Sequence, residues 1–311
     1  MNLMSAKKVL IISRKDERET HDTQESLVRE FKNTHSSYIE YSGCNFEDIL
    51  FDYDGNELRV YDTNNNADLR EYDLIFMVGW HKTKTLEDAA SSVARYTHHL
   101  KIPTFNSEAL SSRVRGKITQ YVTAALHDIP ITPFRYSINQ EVLLTSLKDN
   151  PFAGKFVVKG VAASRGEDNY LIESAEAFEH ILHDRTDPKL YFIAQGYVPN
   201  DGDYRIIVVG KDVRMVIHRQ ATSDSHLNNT SKGGVAQLVS VSELPPMMIS
   251  DSLKLAKLVN REISGVDMVV HSATGKYYLL EVNNMPQLST GAYVAEKIDM
   301  LDSFFVDTLQ Q

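Results

Sequence analysis

The chain has 311 residues, 42% of them hydrophobic and 24% charged, which is enough to bury two or three cores without disulfide or zinc staples. Its formal net charge of -9 repels a phosphate backbone and no basic tract offsets it, which argues against duplex nucleic acid as a partner. The lone cysteine, Cys44, suits a reducing cytoplasm, and no apolar run approaches the roughly 18 residues of a membrane helix, so no membrane partner is expected.

In chain order, Lys7 to Ile12 reads as a buried strand, and the spacing of Leu27, Val28 and Phe31 predicts a helix over 23–32. The turn signals Asp54-Gly55-Asn56 and Asn64-Asn65-Asn66 make 51–68 a hairpin and surface loop. Asp73 to Gly79 is a second buried strand, followed by a helix over 86–100 and the short segment Ile102 to Phe105. Strand and helix alternate here as in a small open parallel sheet. A helix over 115–127 ends before Ile129-Pro130-Ile131-Thr132-Pro133, whose prolines forbid continuation and mark a linker. A strand over 155–159, a small-residue loop over 160–168, a strand over 170–172 and a helix over 174–182 come next. From Tyr191 the pattern turns antiparallel, with strands over 191–195, 204–209 and 213–217. The expected fold class is a mixture of α/β and α+β, a parallel-sheet module in front of mainly antiparallel sheets.

The last third carries the most chemistry. Gly265 to Val270 and Tyr277 to Asn283 form a hairpin whose parity puts Glu281 and Asn283 on one face, near Asp267 of the neighbouring strand. Carboxylate and amide oxygens are the hard ligands magnesium takes, with phosphate oxygens and waters completing its shell. Upstream, Lys159 ends an apolar strand just before the small-residue loop, and Lys117 stands at a helix start; both positions suit phosphate. Asp203 and Arg205 alternate on one strand face, with Arg219 on the partner strand, where guanidinium groups bind phosphate or carboxylate in pairs of hydrogen bonds. Neither a P-loop nor a Gly-x-Gly-x-x-Gly fingerprint occurs, and His81, His98, His99 and His226 lack zinc spacing.

Gly265-Val266-Asp267 followed by Leu280-Glu281-Val282-Asn283-Asn284-Met285-Pro286 resembles the metal-binding end of the ATP-grasp superfamily, and of its branches the chain resembles the RimK-type amino-acid ligases. Gln195-Gly196-Tyr197-Val198-Pro199-Asn200-Asp201-Gly202-Asp203-Tyr204-Arg205 and Asn229-Thr230-Ser231-Lys232-Gly233-Gly234 match further motifs in the family's order. The resemblance implies an ATP-grasp fold with a Rossmann-like pre-ATP-grasp domain over 1–112, a central lid domain over 113–193 and a carboxy-terminal domain over 194–311. It implies ATP with Mg2+, or Mn2+, as two ions held by Asp267, Glu281 and Asn283. Phosphate contacts fall to Lys117, Lys159 and Gly166, in a loop expected to close over the site, and the adenine hinge to Gln195, Gly196, Tyr197 and Val198. Asp203 and Arg205 lie beside the nucleotide, and Arg219, Asn229 and Lys232 serve the transfer itself.

The implied activity is ATP-dependent carboxylate-amine ligation through an acylphosphate, adding an amino acid such as glutamate to an amino acid, peptide or protein terminus in a cytoplasmic homo-oligomer. Phosphotransfer without ligation, or a nucleotide-binding protein without catalysis, are the alternatives. Two departures from the family's pattern bear on specificity: Gly196 stands where glutamate is common, and Leu227 where an arginine is usual.

Overall fold

The computed structural model describes residues 6–15, 20–33, 38–81, 83–111, 116–161, 167–221 and 234–311. The chain begins with β1 (Lys7–Ser13), α1 (Thr23–Lys32) and β2 (Ile39–Asn45). A small antiparallel sheet of β3 (Ile49–Tyr53), β4 (Leu58–Asp62) and β5 (Ala67–Asp68) follows. Its first hairpin turns where Asp54 accepts from the N–H groups of Asn56 and Glu57 at 2.9 and 3.0 Å, and Gly55 takes φ of 96°. β6 (Leu74–Met77), α2 (Lys84–His99) and β7 (Thr104–Phe105) complete the first third.

β2, β1, β6 and β7 lie side by side in that order, all parallel, as the alternating pattern predicts. Successive residues of the central strands enter opposite cores, which is why both strands read as unbroken apolar runs. Val9, Ile11, Leu74 and Phe76 face one core with Leu27 and Phe31 of α1. Leu10, Ile12, Ile75 and Met77 face the other with Ala90, Val93 and Ala94 of α2. β2 carries no comparable run, and the sequence does not mark it.

Next come α3 (Lys117–Leu126), β8 (Phe134–Tyr136), α4 (Gln140–Asp149), β9 (Phe156–Gly160), β10 (Asn169–Ile172), α5 (Ala175–Asp184) and β11 (Phe192–Gly196). The strands form an antiparallel sheet in the order β10-β9-β11-β8. α4 and α5 cover one face, packing Leu143, Leu147 and Phe178 on Phe156, Val158 and Phe192.

The last unit comprises β12 (Asp203–Val209), β13 (Asp212–Gln220), β14 (Val235–Val239), α6 (Pro246–Leu258), β15 (Ile263–Val270), β16 (Tyr277–Asn283) and α7 (Val294–Leu309). Its antiparallel sheet runs β14-β13-β12-β15-β16. On one face Ile206, Val208, Val266 and Met268 pack against Tyr121 and Ala124 of α3 and Met248 and Leu255 of α6. On the other, Ile207, Val209, Met215, Ile217 and Ile263 join the core of the parallel sheet that α1 covers, and α7 closes it with Ile298, Leu301 and Phe305. The first and last elements of the chain therefore share one core. The Phe305 ring lies 5.7 Å from that of Phe76 and 6.0 Å from that of Phe31, and the Tyr41 hydroxyl donates to Asp302 Oδ1 at 2.6 Å.

Candidate active site

The sheet face that is apolar toward α7 becomes ionic at its other end. Across four strands, Ile217, Arg205, Asp267 and Glu281 stand directly opposite one another, and Asp203 opposes Arg219. Arg205 grips Asp267 with Nε at 2.9 Å and Nη2 at 2.7 Å, and its Nη1 donates to Gln287 Oε1 at 2.9 Å. Arg219 grips Asp203 in the same forked way at 2.7 and 2.8 Å and reaches Asp267 Oδ2 at 3.1 Å. All four charged side chains are buried, so these are not surface ion pairs. Burial alone would raise the Asp267 carboxyl, but Arg205 and Arg219 outweigh it and hold it below the ordinary carboxylate range. Burial pushes Asp203 upward against the pull of Arg219.

β16 carries a bulge: Asp267 faces Glu281, yet Met268 faces Leu279, leaving Leu280 as the extra residue. Leu279 and Val282 thereby both enter the core below, while Glu281 and Asn283 stay on the ionic face. The Asn283 amide nitrogen donates to Glu281 Oε1 at 2.9 Å and Asp267 Oδ2 at 3.2 Å, which turns its oxygen away from the carboxylates. The hairpin thus brings Asp267, Glu281 and Asn283 together as the sequence predicts.

β16 is also the edge of its sheet, and side chains occupy its outer hydrogen-bonding groups. Gln120 accepts from the Val282 N–H at 2.7 Å and donates to its carbonyl at 3.0 Å. The Tyr121 hydroxyl donates to the Leu280 carbonyl at 2.7 Å, and Arg261 donates to the Val282 carbonyl. Arg261 in turn pairs with Glu108 at 2.8 Å, and Glu108 accepts from Asn284 at 3.0 Å. No motif marks Gln120, Tyr121, Glu108 or Arg261; each acts on backbone or a neighbour, so spacing carries no signal of it.

Lys117 and Lys159 converge on this hairpin from α3 and β9. Lys117 Nζ donates to the Gly160 carbonyl at 3.2 Å, and Lys159 Nζ to Gln195 Oε1 at 2.9 Å. Burial lowers both ammonium groups and the charge of Glu281 opposes it, leaving Lys159 at about 8. Gln195 Nε2 is buried and has no partner among the described residues. An orphaned donor beside two desolvated cations fits a ligand rich in acceptor oxygens or ring nitrogens. In the neighbouring segment, the Gly196 and Tyr197 N–H groups donate to the carbonyls of Pro133 and Lys155. A Cβ on Gly196 would meet Pro133 and Phe152 only at ordinary contact distances of 3.7 and 4.0 Å, so packing does not dictate glycine there. Gly166, Asn229 and Lys232, with His226 and Leu227, lie outside the described residues.

A family model for the RimK-like ATP-grasp domain matches residues 115–303. The chain is 30% identical over 187 residues to a probable alpha-L-glutamate ligase of Alkalilimnicola ehrlichii, a match covering 59% of this chain and 60% of that protein. It is 27% identical over 256 residues to a probable alpha-L-glutamate ligase of Aeromonas salmonicida, covering 79% and 78%. In fold it is similar to the ATP-grasp ligase PsnB solved with a minimal precursor, Mg and ADP, with a TM-score of 0.65 and 13% identity over 97% of this chain and 98% of that one. The hairpin, the two converging lysines and a family model spanning more than half the sequence lead to one assignment: the chain belongs to the RimK-like ATP-grasp family, whose members are ATP-dependent ligases forming C–N bonds.

Proposed function

We propose that the chain uses ATP to activate a substrate carboxylate and joins it to an amine, with glutamate as the amino acid to test first and an amino acid, peptide or protein terminus as its partner. The observation that carries this reading is the convergence of Lys117, Lys159 and the orphaned Gln195 amide on the Glu281–Asn283 pair. The lysines take the ATP phosphates, and Gly166 is a further phosphate contact in this reading. The base lies against Gln195, Gly196, Tyr197 and Val198; the Gly196 and Tyr197 N–H groups are already engaged, so the orphaned Gln195 amide is the donor this reading gives it.

The residues present suit Mg2+: the Glu281 carboxylate is a hard donor, the Asn283 oxygen joins it once the amide turns over from its donation to Glu281 and Asp267, and phosphate oxygens complete the shell. Asp267 joins them when the polyphosphate competes for Arg205 and Arg219, which now occupy both its oxygens. When bound, the metal neutralises charge on the transferring phosphoryl group. A carboxylate oxygen displaces ADP from the γ-phosphorus, and the amine then attacks the acylphosphate, releasing phosphate and a proton. Arg219, beside Arg205, orients the carboxylate, and Asn229 and Lys232 hold the phosphate in transfer.

The three-unit division at 112/113 and 193/194 is part of this reading. β11 straddles its second boundary, and α3 packs with the last unit. Assembly as a homo-oligomer in the cytoplasm completes it.

A phosphate-release screen of paired carboxylates and amines, with mass spectrometry on each hit, tests the activity. An amide product is expected, whereas a stable phosphorylated product alone would select a phosphotransferase. With a productive pair in hand, Glu281→Ala should lower ADP release about 100-fold or more; unchanged release sinks the site assignment.

A further inference from the structure

The small sheet of β3, β4 and β5 ends in β3, a five-residue edge strand. The Thr63 N–H donates to the Asp48 carbonyl at 3.0 Å and the Asp54 N–H to the Glu57 carbonyl at 3.4 Å, so the even-numbered residues from 48 to 54 turn their backbone groups toward β4. Ile49, Phe51 and Tyr53 therefore turn theirs outward. The Ile49 N–H is held by the Phe46 carbonyl, and the other outward groups have no partner among the described residues. Both edges of the active-site sheet are sealed instead. Gln120 and Tyr121 occupy the outer groups of β16, and the Tyr293 hydroxyl spans β14, accepting from the Leu238 N–H and donating to the Ala236 carbonyl, both at 3.2 Å. β3 has no such cover, and no lysine, proline or bulge interrupts it.

The side chains of Ile49, Phe51 and Tyr53 lie on the face that begins as core, with Phe51 opposite Val60 and Tyr53 opposite Leu58. Ile49 and Val60 pack with Phe46 and Leu69 beneath the sheet. The hairpin then runs past that core, and Phe51, Tyr53 and Leu58 are 39%, 65% and 44% exposed. On the opposite face Leu50 is exposed beside Asp52. An apolar strand with an open edge is a template for another strand.

We propose that β3 pairs antiparallel with β3 of a second copy of this chain, about a two-fold axis through Phe51, joining two three-stranded sheets into one. The proposal rests on the homo-oligomer reading and names its contact. The strand itself selects the register. Centred on Phe51, the two Phe51 residues exchange both backbone hydrogen bonds, and each Tyr53 N–H reaches the Ile49 carbonyl opposite. On the apolar face Phe51 lies beside its counterpart, and Tyr53, which overhangs its own core, comes against Ile49 of the other copy. On the polar face Asp52 meets Leu50, and Asp54 arrives opposite Asp48, where Lys15 stands 3.4 Å from the carboxylate. A centre at Tyr53 would set Asp52 against Asp54, and one at Ile49 would need the N–H that Phe46 holds. A second copy supplies this match by symmetry, whereas any other strand needs the same alternation of apolar and acidic residues.

Sedimentation velocity of the full chain over a wide range of concentration tests this, and wild type should show a monomer–dimer equilibrium. Phe51→Asp opposes two carboxylates on the axis, and Phe51→Pro removes an N–H that β4 does not use. Each should weaken dimerisation at least about tenfold, with a melting temperature near wild type. Met247→Asp, at a more exposed apolar residue on α6, should leave the dimer intact. An oligomer unchanged in both Phe51 variants overturns the proposal and leaves the homo-oligomer reading standing. A wild-type chain that stays monomeric at every concentration overturns both. Equal weakening by Met247→Asp also overturns the proposal, since association would then be non-specific. So does a dimer lost in Phe51→Asp but kept in Phe51→Pro, because a contact through side chains alone does not need the Phe51 N–H.

Discussion

Lys159 is half-buried before any ligand arrives, and its ammonium faces Gln195 and the field of Glu281 without a full ion pair. Burial lowers it from 10.5 to about 8, while the unfolded chain keeps its proton up to the higher value. Between those two pH values the unfolded state binds more protons, so this group makes stability rise with pH across that window; below it, the penalty is constant. Replacing Lys159 with Met should therefore raise the melting temperature of the ligand-free protein at pH 7 by a few degrees. The same variant should lose the stabilisation that ATP gives wild type. Thermal melts at pH 7 with and without ATP and Mg2+ read both effects, and an unchanged ATP shift would remove Lys159 from the phosphate site. At this scale the sequence shows a residue when it breaks a pattern. Glu281 and Asn283 interrupt a Val-, Leu- and Tyr-filled strand, and Lys159 closes one. Lys297 sits among ordinary charges of an amphipathic helix, and only the fold reveals that it points inward.

At the scale of elements, two side-chain amides act as extra strand. Gln120 on α3 hydrogen-bonds both backbone groups of Val282, and Asn106 does the same at Ile263, with its nitrogen 3.0 Å from the carbonyl and its oxygen 2.7 Å from the N–H. The catalytic hairpin is thus clamped at the end of β16 and the start of β15. Gln120 lies one helical turn from Lys117, so the helix that carries a phosphate lysine also sets the height of Glu281 and Asn283. Gln120→Leu leaves a buried N–H without its acceptor and should cost about 1–3 kcal/mol in urea unfolding. It should also lower kcat more than it raises the KM for ATP, because the lysine helix stays while the ligand strand shifts. A stability loss with unchanged kcat would assign Gln120 to packing alone. The parallel sheet, the antiparallel hairpins and the ligand hairpin were all legible from period and turn signals. α4, α6, α7, β2 and β14 were not. α6 and α7 pack on sheets that only tertiary structure assembles, and β2 alternates too weakly to stand out.

Over the whole molecule, Glu108 is a charged link between the amino-terminal unit and the ligand hairpin. Its side chain is fully buried and binds Arg261, His81 and Asn284. Burial would raise its carboxyl, but Arg261 and His81 outweigh that and hold it below the usual value. The link is therefore complete at neutral pH and is lost as pH falls through that depressed value, beneath the ordinary 4.5 of glutamate. Glu108→Gln removes the buried carboxylate that pairs with Arg261 Nε and should cost about 3–5 kcal/mol at pH 7. Urea titrations at pH 7 and at pH 4 should show the gap to wild type narrowing in acid; a constant gap would mean that the charge is not what joins the units.

The core shared by α1, the parallel sheet and α7 also orders the events of synthesis. A ribosome releases β1, α1 and β6 early, and the face lined by Leu10 and Ile12 is completed within the first third of the chain. The face lined by Val9, Ile11 and Phe76 waits for Phe305, so it stays open until α7 has been made. A chain that stops short of α7 therefore shows its fault far from the break, as an uncovered aromatic surface on the parallel sheet made long before it.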